Sequence, residues 1–264
     1  MTEFSVEQFE GVISEIERRI GEIGKQMDSV PGIVANAVDN WWVTEGMESA
    51  VRWTGNKIVE FAKWLIETVT DLLKGVAAPV YMAMCAWDWF QIREDASQLA
   101  ANVDPSLLKS SSEWKGDAQW AYRNAAAAHN AAAKRISDVG KEATAALGTS
   151  AAGGLVFYGA ILGIVIKAGI AMTGGLTAIA SVIFSWEGAG LILLEAASDS
   201  ACIVAAIAAV TALISAQLKT MLDLKTAATD LSVFPQGKWP DANTGTFDNA
   251  TRLDGTAEWS IRTG

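Results

Sequence analysis

Apolar residues recur at alternating steps of three and four along the first 150 residues of the chain. This spacing is typical of helices that pack lengthwise on one another. The first two stripes comprise Phe9, Ile13, Ile16, Ile20, Ile23, Met27 and Val30, then Met47, Val51, Thr54, Ile58, Phe61, Leu65, Thr68 and Leu72. Ser5 and Gln8 fit a capping box at the start of the first helix, and Pro31-Gly32 predicts its end. Gly75 predicts the end of the second helix.

Two further stripes follow, and the short connection between them predicts an antiparallel pair of helices. They comprise Met82, Cys85, Trp89, Ile92, Ala96, Leu99 and Val103, then Tyr122, Ala125, His129, Ala132, Ile136, Val139, Ala143 and Ala146. Asp104-Pro105 predicts the end of the third helix, because the residue before a proline is pushed out of the α region. No strand-like alternation is seen, so the sequence predicts an all-α fold, an elongated bundle built on antiparallel helical hairpins.

The connection between the third and fourth helices contains Trp114-Lys115-Gly116, which we interpret as a Trp-x-Gly turn. A helix, a Trp-x-Gly turn and a second helix, with Tyr122 spaced after the glycine, form an arrangement that resembles the WXG100 (ESAT-6-like) superfamily of type VII (ESX-like) secretion systems. The resemblance covers residues 80–150. It implies a secreted or cell-envelope protein that acts by association, with Trp114, Gly116 and Tyr122 as the interaction motif.

The export signal of that family, a tyrosine followed four residues later by an acidic residue, is missing after Tyr81, Tyr122 and Tyr158. Export by that route would therefore need a partner that carries the signal. A second Trp-x-Gly, Trp53-Thr54-Gly55, lies inside the second periodic helix, and we interpret this copy as accidental.

The most apolar part of the chain lies between residues 151 and 218. Residues 151–166 and 168–186 carry no charge on either side of Lys167, and residues 200–218 form a third uncharged run. A helix of about 19 residues spans about 28 Å, close to the ~30 Å hydrocarbon core of a bilayer. The lengths of the runs over 168–186 and 200–218 therefore fit membrane spans.

Glycines punctuate this region, and we expect them at turns and at close helix contacts. The candidate membrane or helix-packing residues are Gly159, Gly163, Gly174, Gly175, Gly188 and Gly190. The predicted arrangement is a helical hairpin with an outgoing helix over 151–186, a turn at Gly188–Gly190 and a returning helix over 191–218. Two interpretations stay open: the hairpin inserts into a membrane, or it is the core of a larger bundle and is apolar all round because protein surrounds it. Residues 217–231 return to amphipathic spacing and are expected to run back along the soluble helices.

The charge and the amino-acid composition argue against several classes of function. The formal net charge of −10 argues against nucleic-acid binding, because no basic stripe is present to neutralise phosphates. One histidine, His129, and two separated cysteines, Cys85 and Cys202, leave almost no material for a metal site or a nucleophile, so we expect no enzyme, metal or cofactor. We expect His129 to be a satisfied interhelical side chain, with a pH-responsive contact as the alternative, and the cysteines to be buried thiols or one disulfide.

The start and the end of the chain add further expectations. The acidic, amphipathic start is no Sec signal peptide. Trp41-Trp42 is expected either to close one end of the bundle or to act as an anchor at an interface or at a membrane surface. Beyond residue 231 the polar tail is expected to be irregular and held to the bundle by Trp239, Phe247 and Trp259.

These patterns predict four segments: amphipathic helices over 1–80, a WXG100-like hairpin over 81–150, an apolar hairpin over 151–231 and an irregular tail over 232–264. The functional hypothesis is a secreted or cell-envelope helical protein of a type VII (ESX-like) system, acting through a protein partner or self-association as a homo- or hetero-oligomer. Its apolar hairpin would be inserted in a membrane or buried in the oligomer. The alternative is a pore- or channel-forming membrane protein in which the Trp-x-Gly turn is incidental.

Overall fold

The computed structural model describes residues 4–40, 43–109, 114–180, 186–241, 250–252 and 258–259 of the 264-residue chain. Its long helices are α1 (Val6–Val38), α2 (Glu45–Leu73), α3 (Ala77–Asn102), α4 (Asp117–Ala180) and α5 (Trp186–Thr229). Three short strands, β1 (Trp114–Gly116), β2 (Ala250–Arg252) and β3 (Glu258–Trp259), form one small antiparallel sheet. The predominance of helix confirms the all-α prediction.

The chain folds into two compact units. The first unit comprises Met1–Met82 and Thr149–Ser215, and the second unit comprises Ala83–Gly148 and Ala216–Gly264. Each unit therefore combines segments that are distant in the sequence. The predicted anchor at residues 41–42 and the tail residue Phe247 lie outside the described residues.

Helix α1 begins at its predicted cap, where the Ser5 hydroxyl accepts a hydrogen bond from the backbone N–H of Gln8 at 3.3 Å. Its most buried side chains have a seven-residue spacing and are Phe9, Ile16, Ile23 and Val30. The intervening residues are partly buried and pack against the same core; they are Ile13, Ile20 and Met27. All seven predicted positions of this stripe therefore contribute to the core of the first unit.

The predicted end of α1 at Pro31-Gly32 is wrong, because the helix continues to Val38. A proline inside a helix removes a backbone hydrogen bond and costs about 3 kcal/mol. Beyond it, Val34 and Ala37 are only 8 % and 2 % exposed. Burying an aliphatic side chain contributes about 1.5–3 kcal/mol, so the packing of these two residues offsets the cost of the proline.

Helix α2 folds back on α1 and approaches it closely at Gly55. A Cβ added at Gly55 would lie 2.6 Å from Cγ2 of Val34, so a larger residue would force the helices apart. The Trp53-Thr54-Gly55 sequence, interpreted as accidental, thus includes a glycine with a packing role. The buried stripe of α2 comprises Val51, Thr54, Gly55, Ile58, Ala62, Leu65 and Val69. Ala62 and Val69 replace the predicted Phe61 and Thr68, because a helix of 3.6 residues per turn drifts away from a strict heptad.

The apolar part of α4 lies against both α1 and α2. The rings of Phe9 and Tyr158 are 5.5 Å apart, and the Gln26 side-chain amide donates a hydrogen bond to the Thr173 hydroxyl at 2.9 Å. These two pairs show that α1 and this part of α4 run parallel. The Tyr158 hydroxyl also donates to the carbonyl of Leu72, near the end of α2, at 2.8 Å. The core of the first unit therefore consists of apolar side chains from α1, α2 and α4, together with one from α5.

In the second unit, α3 and α4 run antiparallel. The Asn130 side-chain amide of α4 donates a hydrogen bond to the carbonyl of Ala100 at 2.6 Å. Ten residues further along α4, a Cβ added at Gly140 would lie 3.2 Å from the carbonyl oxygen of Trp89. Residues later in α4 thus contact residues earlier in α3, as expected for two antiparallel helices.

The stripe predicted for α3 is partly wrong. Ile92 and Leu99 were expected to face the partner helix, but they are 44 % and 42 % exposed. The buried residues of α3 are Ala86, Ala96 and Ala100. Small side chains allow the backbones of two helices to approach closely and to gain dispersion contacts, so α3 turns its alanines towards the protein interior.

The Trp114-Lys115-Gly116 segment is strand β1 rather than the predicted turn. It pairs antiparallel with β2, with Trp114 opposite Arg252 and Gly116 opposite Ala250, and β2 pairs with β3. The sequence predicted no strand because segments of two or three residues are too short for an alternating pattern to be recognised. The Trp-x-Gly backbone is therefore paired with the C-terminal tail.

Two further corrections concern the apolar region. The fourth predicted helix and the outgoing helix of the apolar hairpin form one continuous helix of 64 residues, α4, which Gly153-Gly154 does not interrupt. Gly154 has a packing role, since a Cβ there would lie 2.4 Å from Cγ of Pro79. The predicted turn at Gly188–Gly190 is helical and belongs to α5, which begins at Trp186. Glycine costs about 1 kcal/mol in a helix interior, which is too little to end a well-packed helix.

The first part of the tail is held against α4. The indole N–H of Trp239 donates a hydrogen bond to Nδ1 of His129 at 2.5 Å, and the ring of Phe234 lies 6.3 Å from the Trp239 ring. The partner of His129 is thus a tail residue rather than a neighbouring long helix. Arg135 of α4 donates to the carbonyl of Ala227 at 3.1 Å, which ties the end of α5 to the second unit.

Candidate functional site: exposed apolar helices

Three regions of the described chain are long and apolar enough to cross a membrane, judged by length and composition alone. They lie within Glu45–Asn102, Gln119–Ala180 and Ala201–Thr229. Of the most apolar stretch in each region, 17 %, 33 % and 6 % is buried, in that order. The last region belongs to α5, which therefore leaves nearly all of its apolar stretch uncovered.

Between Ala201 and Leu218 helix α5 exposes apolar side chains over more than half of its circumference, and on the remaining side Ile203 and Ala206 pack against the core of the first unit. Val204, Ile207 and Ile214 are 64 %, 40 % and 65 % exposed, and Ile203 is the one buried residue among the described side chains of this stretch. A surface helix of a soluble protein ordinarily has a polar outer face. Successive residues of a helix point in directions about 100° apart, so exposure at neighbouring positions means that more than one side of the helix is exposed. The exposed positions include 204, 205, 207, 208 and 209.

The two hydroxyl side chains in this stretch are satisfied within the helix. The Thr211 hydroxyl donates to the carbonyl of Ile207 at 2.9 Å, and the Ser215 hydroxyl donates to the carbonyl of Thr211 at 2.8 Å. No charged residue lies between Ala201 and Leu218. In hydrocarbon every polar group must find its partner inside the protein, and these hydroxyls meet that requirement.

Within the first unit, α4 has one covered and one exposed face. The covered face is apolar and includes Tyr158, Ile161, Val165, Met172 and Ile179. On the opposite face Val156 and Ile170 are 68 % and 69 % exposed. Gly159, Gly163 and Gly174 lie on this exposed face, and a Cβ added at any of them would meet no atom within 4 Å. This face of α4 is therefore uncovered and mostly apolar, with Lys167 as the exposed charged residue between Gly163 and Ile170.

The structure separates the six predicted glycines into three groups. Gly159, Gly163 and Gly174 are exposed, so the close helix contacts predicted for them are not made within the described chain. Gly175 is buried. Gly188 and Gly190 lie in the helical backbone of α5, and their surroundings lie outside the described side chains.

The residues of the Trp-x-Gly motif lie at the start of α4. Trp114 and Gly116 belong to β1, where the backbone and its pairing with β2 are described. Tyr122 follows in the first turns of α4 and is 38 % exposed. The backbone of the Trp-x-Gly segment thus pairs with the C-terminal tail.

A second exposed apolar surface lies on α3, and sequence reasoning missed it. Met84 and Trp87 are 61 % and 60 % exposed. The Trp87 ring stacks on Phe90 at 5.5 Å, and the guanidinium of Arg93 lies 5.8 Å from the centre of the Phe90 ring. The signal that could have revealed this surface is an excess of apolar residues, since residues 80–87 carry more of them than one stripe can bury.

The densest group of charged side chains lies on α1 and is paired within that helix. Hydrogen bonds from Arg18 and Arg19 lower the pKa of Glu15 from its ordinary 4.5 to about 2. Glu22 forms ion pairs with both arginines. This network needs no other element of the fold.

The described residues contain no group of three or more His, Cys, Asp or Glu side chains that could hold a metal ion. Both cysteines are free thiols, and Cys202 is exposed on α5 whereas Cys85 is half-buried. Neither the predicted disulfide nor the predicted pair of buried thiols is therefore present.

No protein-family model matches this chain, and no curated protein or solved structure is significantly similar to it.

Proposed function

We propose that this chain is a membrane-inserting helical protein in which the uncharged stretch of α5, Ala201–Leu218, enters the lipid bilayer. The observation that carries the proposal is that this helix exposes apolar side chains over more than half of its circumference. Removing apolar surface from water is worth about 25 cal/mol per Å², so an uncovered apolar helix is costly in water. A bilayer removes that cost.

Lipid fits this helix better than a protein partner does. A partner helix covers one stripe of its neighbour and would leave the other sides of α5 apolar and in water, whereas lipid surrounds a helix completely. The stretch is about 27 Å long at 1.5 Å per residue, close to the ~30 Å hydrocarbon core, and Lys219 marks its end.

This proposal includes a pore- or channel-forming function when several copies assemble. Close helix packing in lipid depends on small residues, because water exclusion no longer drives it. The exposed face of α4 offers Gly159, Gly163 and Gly174 for such contacts. The protein would then act at a cell envelope or at a membrane that it reaches after secretion.

A second candidate function is association with a protein partner, or with a second copy, in a type VII (ESX-like) secretion system. The observation that favours it is the antiparallel packing of α3 and α4 on either side of Trp114-Lys115-Gly116. The exposed Met84 and Trp87 of α3 provide apolar surface for a partner. The two functions are compatible, since one uses α3 and the other uses α5.

Flotation with phosphatidylcholine liposomes tests membrane insertion. Val204→Lys combined with Ile214→Lys places two charges in the uncharged stretch, and both sites are about two-thirds exposed, so the fold should be unaffected. A lysine costs about 2.5–3.5 kcal/mol at the centre of a membrane helix and less towards its ends, so the two lysines together should lower recovery with the liposomes by at least tenfold. Thr226→Lys combined with Ala228→Lys adds the same charge to exposed positions of α5 beyond Lys219 and is the matched control. Flotation of the first variant at the level of the unmodified protein would refute the proposal.

A further inference from the structure

The part of α4 beyond Lys167 is apolar on its covered face as well as on its exposed face. Residues 168–180 carry no charge, and Met172 and Ile179 are buried among them. The same residues that form a protein core would be stable in hydrocarbon. This part of α4 therefore resembles the uncharged stretch of α5 in composition. It differs in that one of its faces is packed against other helices of the fold.

Helix α1 contributes to that cover at Ile23 and Gln26. A Cβ added at Gly169 of α4 would lie 3.9 Å from Cγ1 of Ile23, and Gln26 donates its hydrogen bond to Thr173 at 2.9 Å. The packing here is incomplete. A cavity of about 100 Å³ lies between the two helices beside these residues, and the buried Oε1 of Gln26 has no hydrogen-bond partner.

The charges of α1 prevent it from accompanying α4 into lipid. Lys25 and Asp28 are exposed on the covering part of α1, and Arg19 and Glu22 precede them. Charged side chains at the centre of a bilayer are strongly unfavourable. At the same time, Arg19 forms its ion pairs with Glu15 and Glu22 of α1 itself, so these pairs survive if α1 leaves α4.

We propose, on the premise that α5 enters the bilayer, that α1 is a removable cover of α4. The uncharged stretch of α5, which is exposed except on the side of Ile203, inserts first, and the part of α4 beyond Lys167 follows only after α1 has separated from it. Insertion thus has two steps, and the contact between α1 and α4 controls the second.

A reducible cross-link between α1 and α4 tests this order. Gln26→Cys and Thr173→Cys replace two side chains outside the core, and a short bis-methanethiosulfonate linker joins them; Cys85→Ala and Cys202→Ala remove the native thiols. A fluorophore is attached through an alkyne-bearing amino acid at residue 170 of α4 or at residue 204 of α5. Phosphatidylcholine vesicles brominated near the ends of the acyl chains quench a fluorophore that lies in the hydrocarbon.

The matched control ties α1 to α2 and leaves α4 free. Val34→Cys with Gly55→Cys can close directly as a disulfide, because Cβ of Val34 lies 3.8 Å from the Cβ position of Gly55. In this control both fluorophores should be quenched. In the protein cross-linked between α1 and α4, the fluorophore at residue 204 should be quenched and that at residue 170 should not, until reductant restores its quenching.

The remaining outcomes overturn the inference in distinguishable ways. Equal quenching at residue 170 with and without the link from α1 to α4 would show that α1 need not separate. Quenching at residue 204 with none at residue 170 in any form would show that α4 does not enter. Loss of quenching at both residues in every form would refute the membrane insertion of α5 itself.

Discussion

The substitutions Gly140→Ala and Gly148→Ala should change the stability of the second unit in opposite directions. Both glycines lie in the interior of α4. A Cβ at Gly148 would meet no atom within 4 Å. A Cβ at Gly140 would lie 2.9 Å from Cβ and 3.3 Å from Cα of Arg93, and 3.2 Å from the carbonyl oxygen of Trp89. Two of these three atoms belong to the backbone of α3, which cannot rotate away as the end of a side chain can.

The magnitude follows from two opposing effects. Alanine is favoured over glycine in a helix interior by about 0.8–1 kcal/mol, and Gly148→Ala should gain that amount. Gly140→Ala gains the same propensity, but overpacking a close contact costs about 1–3 kcal/mol. The two variants should therefore differ in free energy of unfolding by about 1–3 kcal/mol. In a protein of this size, that difference corresponds to a shift in melting temperature of about 2–4 °C per kcal/mol.

Thermal unfolding followed by far-ultraviolet circular dichroism compares the two variants with the unmodified protein, and hydrogen exchange of the α3 amides assigns the change to the second unit. Gly148→Ala should melt at a higher temperature and protect α3 as before. Gly140→Ala should melt below Gly148→Ala and exchange faster in α3. An equal gain in stability for both variants would refute the close approach of α3 and α4.

Three further predictions follow from individual contacts. Asn130→Ala should destabilise the second unit by about 1–3 kcal/mol, because a carbonyl near the end of α3 loses its donor; an unchanged melting temperature would contradict this. The pKa of Glu15 in the folded protein, about 2, is below its ordinary 4.5, so the pairing with Arg18 stabilises the fold fully above about pH 5 and is lost as the pH falls towards 2. Glu15→Gln should then flatten the dependence of stability on pH in that range, and an unchanged slope in acid unfolding would count against the pairing. Replacing Trp114 and Gly116 by alanine together should abolish export in a host with a type VII system if the motif acts in recognition, whereas secretion at the unmodified level would exclude that role.

The amphipathic stripes of α1 and α2 could be predicted because each is a property of one segment. Phe9 and Ile16 occupy the core positions that the spacing indicated, and Ser5 caps α1 as expected. The end of α1 could not be predicted in the same way. Pro31 is a local signal to stop, and the burial of Val34 against α2 outweighs it.

The sequence indicates where the candidate site lies. It does not indicate whether the apolar side chains of that site are exposed. The uncharged run beyond Ala201 is visible in the sequence, and its length fits a bilayer. An apolar helix in the interior of a bundle would have the same composition, so the sequence left both interpretations open. The exposure of Val204 and Ile214 favours lipid, because the fold supplies no cover for these sides of α5 among the described residues.

Helical periodicity, the uncharged runs and the absence of a basic stripe are determined by the sequence, because they depend only on the order of residues within each segment. Which apolar surfaces are covered was decided by the tertiary structure, since a cover comes from residues that are distant in the chain. Ile23 lies beside Gly169, and Trp114 pairs with Arg252, although no local pattern links either pair. Such long-range contacts leave α4 half covered and most of the described surface of α5 between Ala201 and Leu218 exposed, and that difference is the physical basis for the function proposed for this protein.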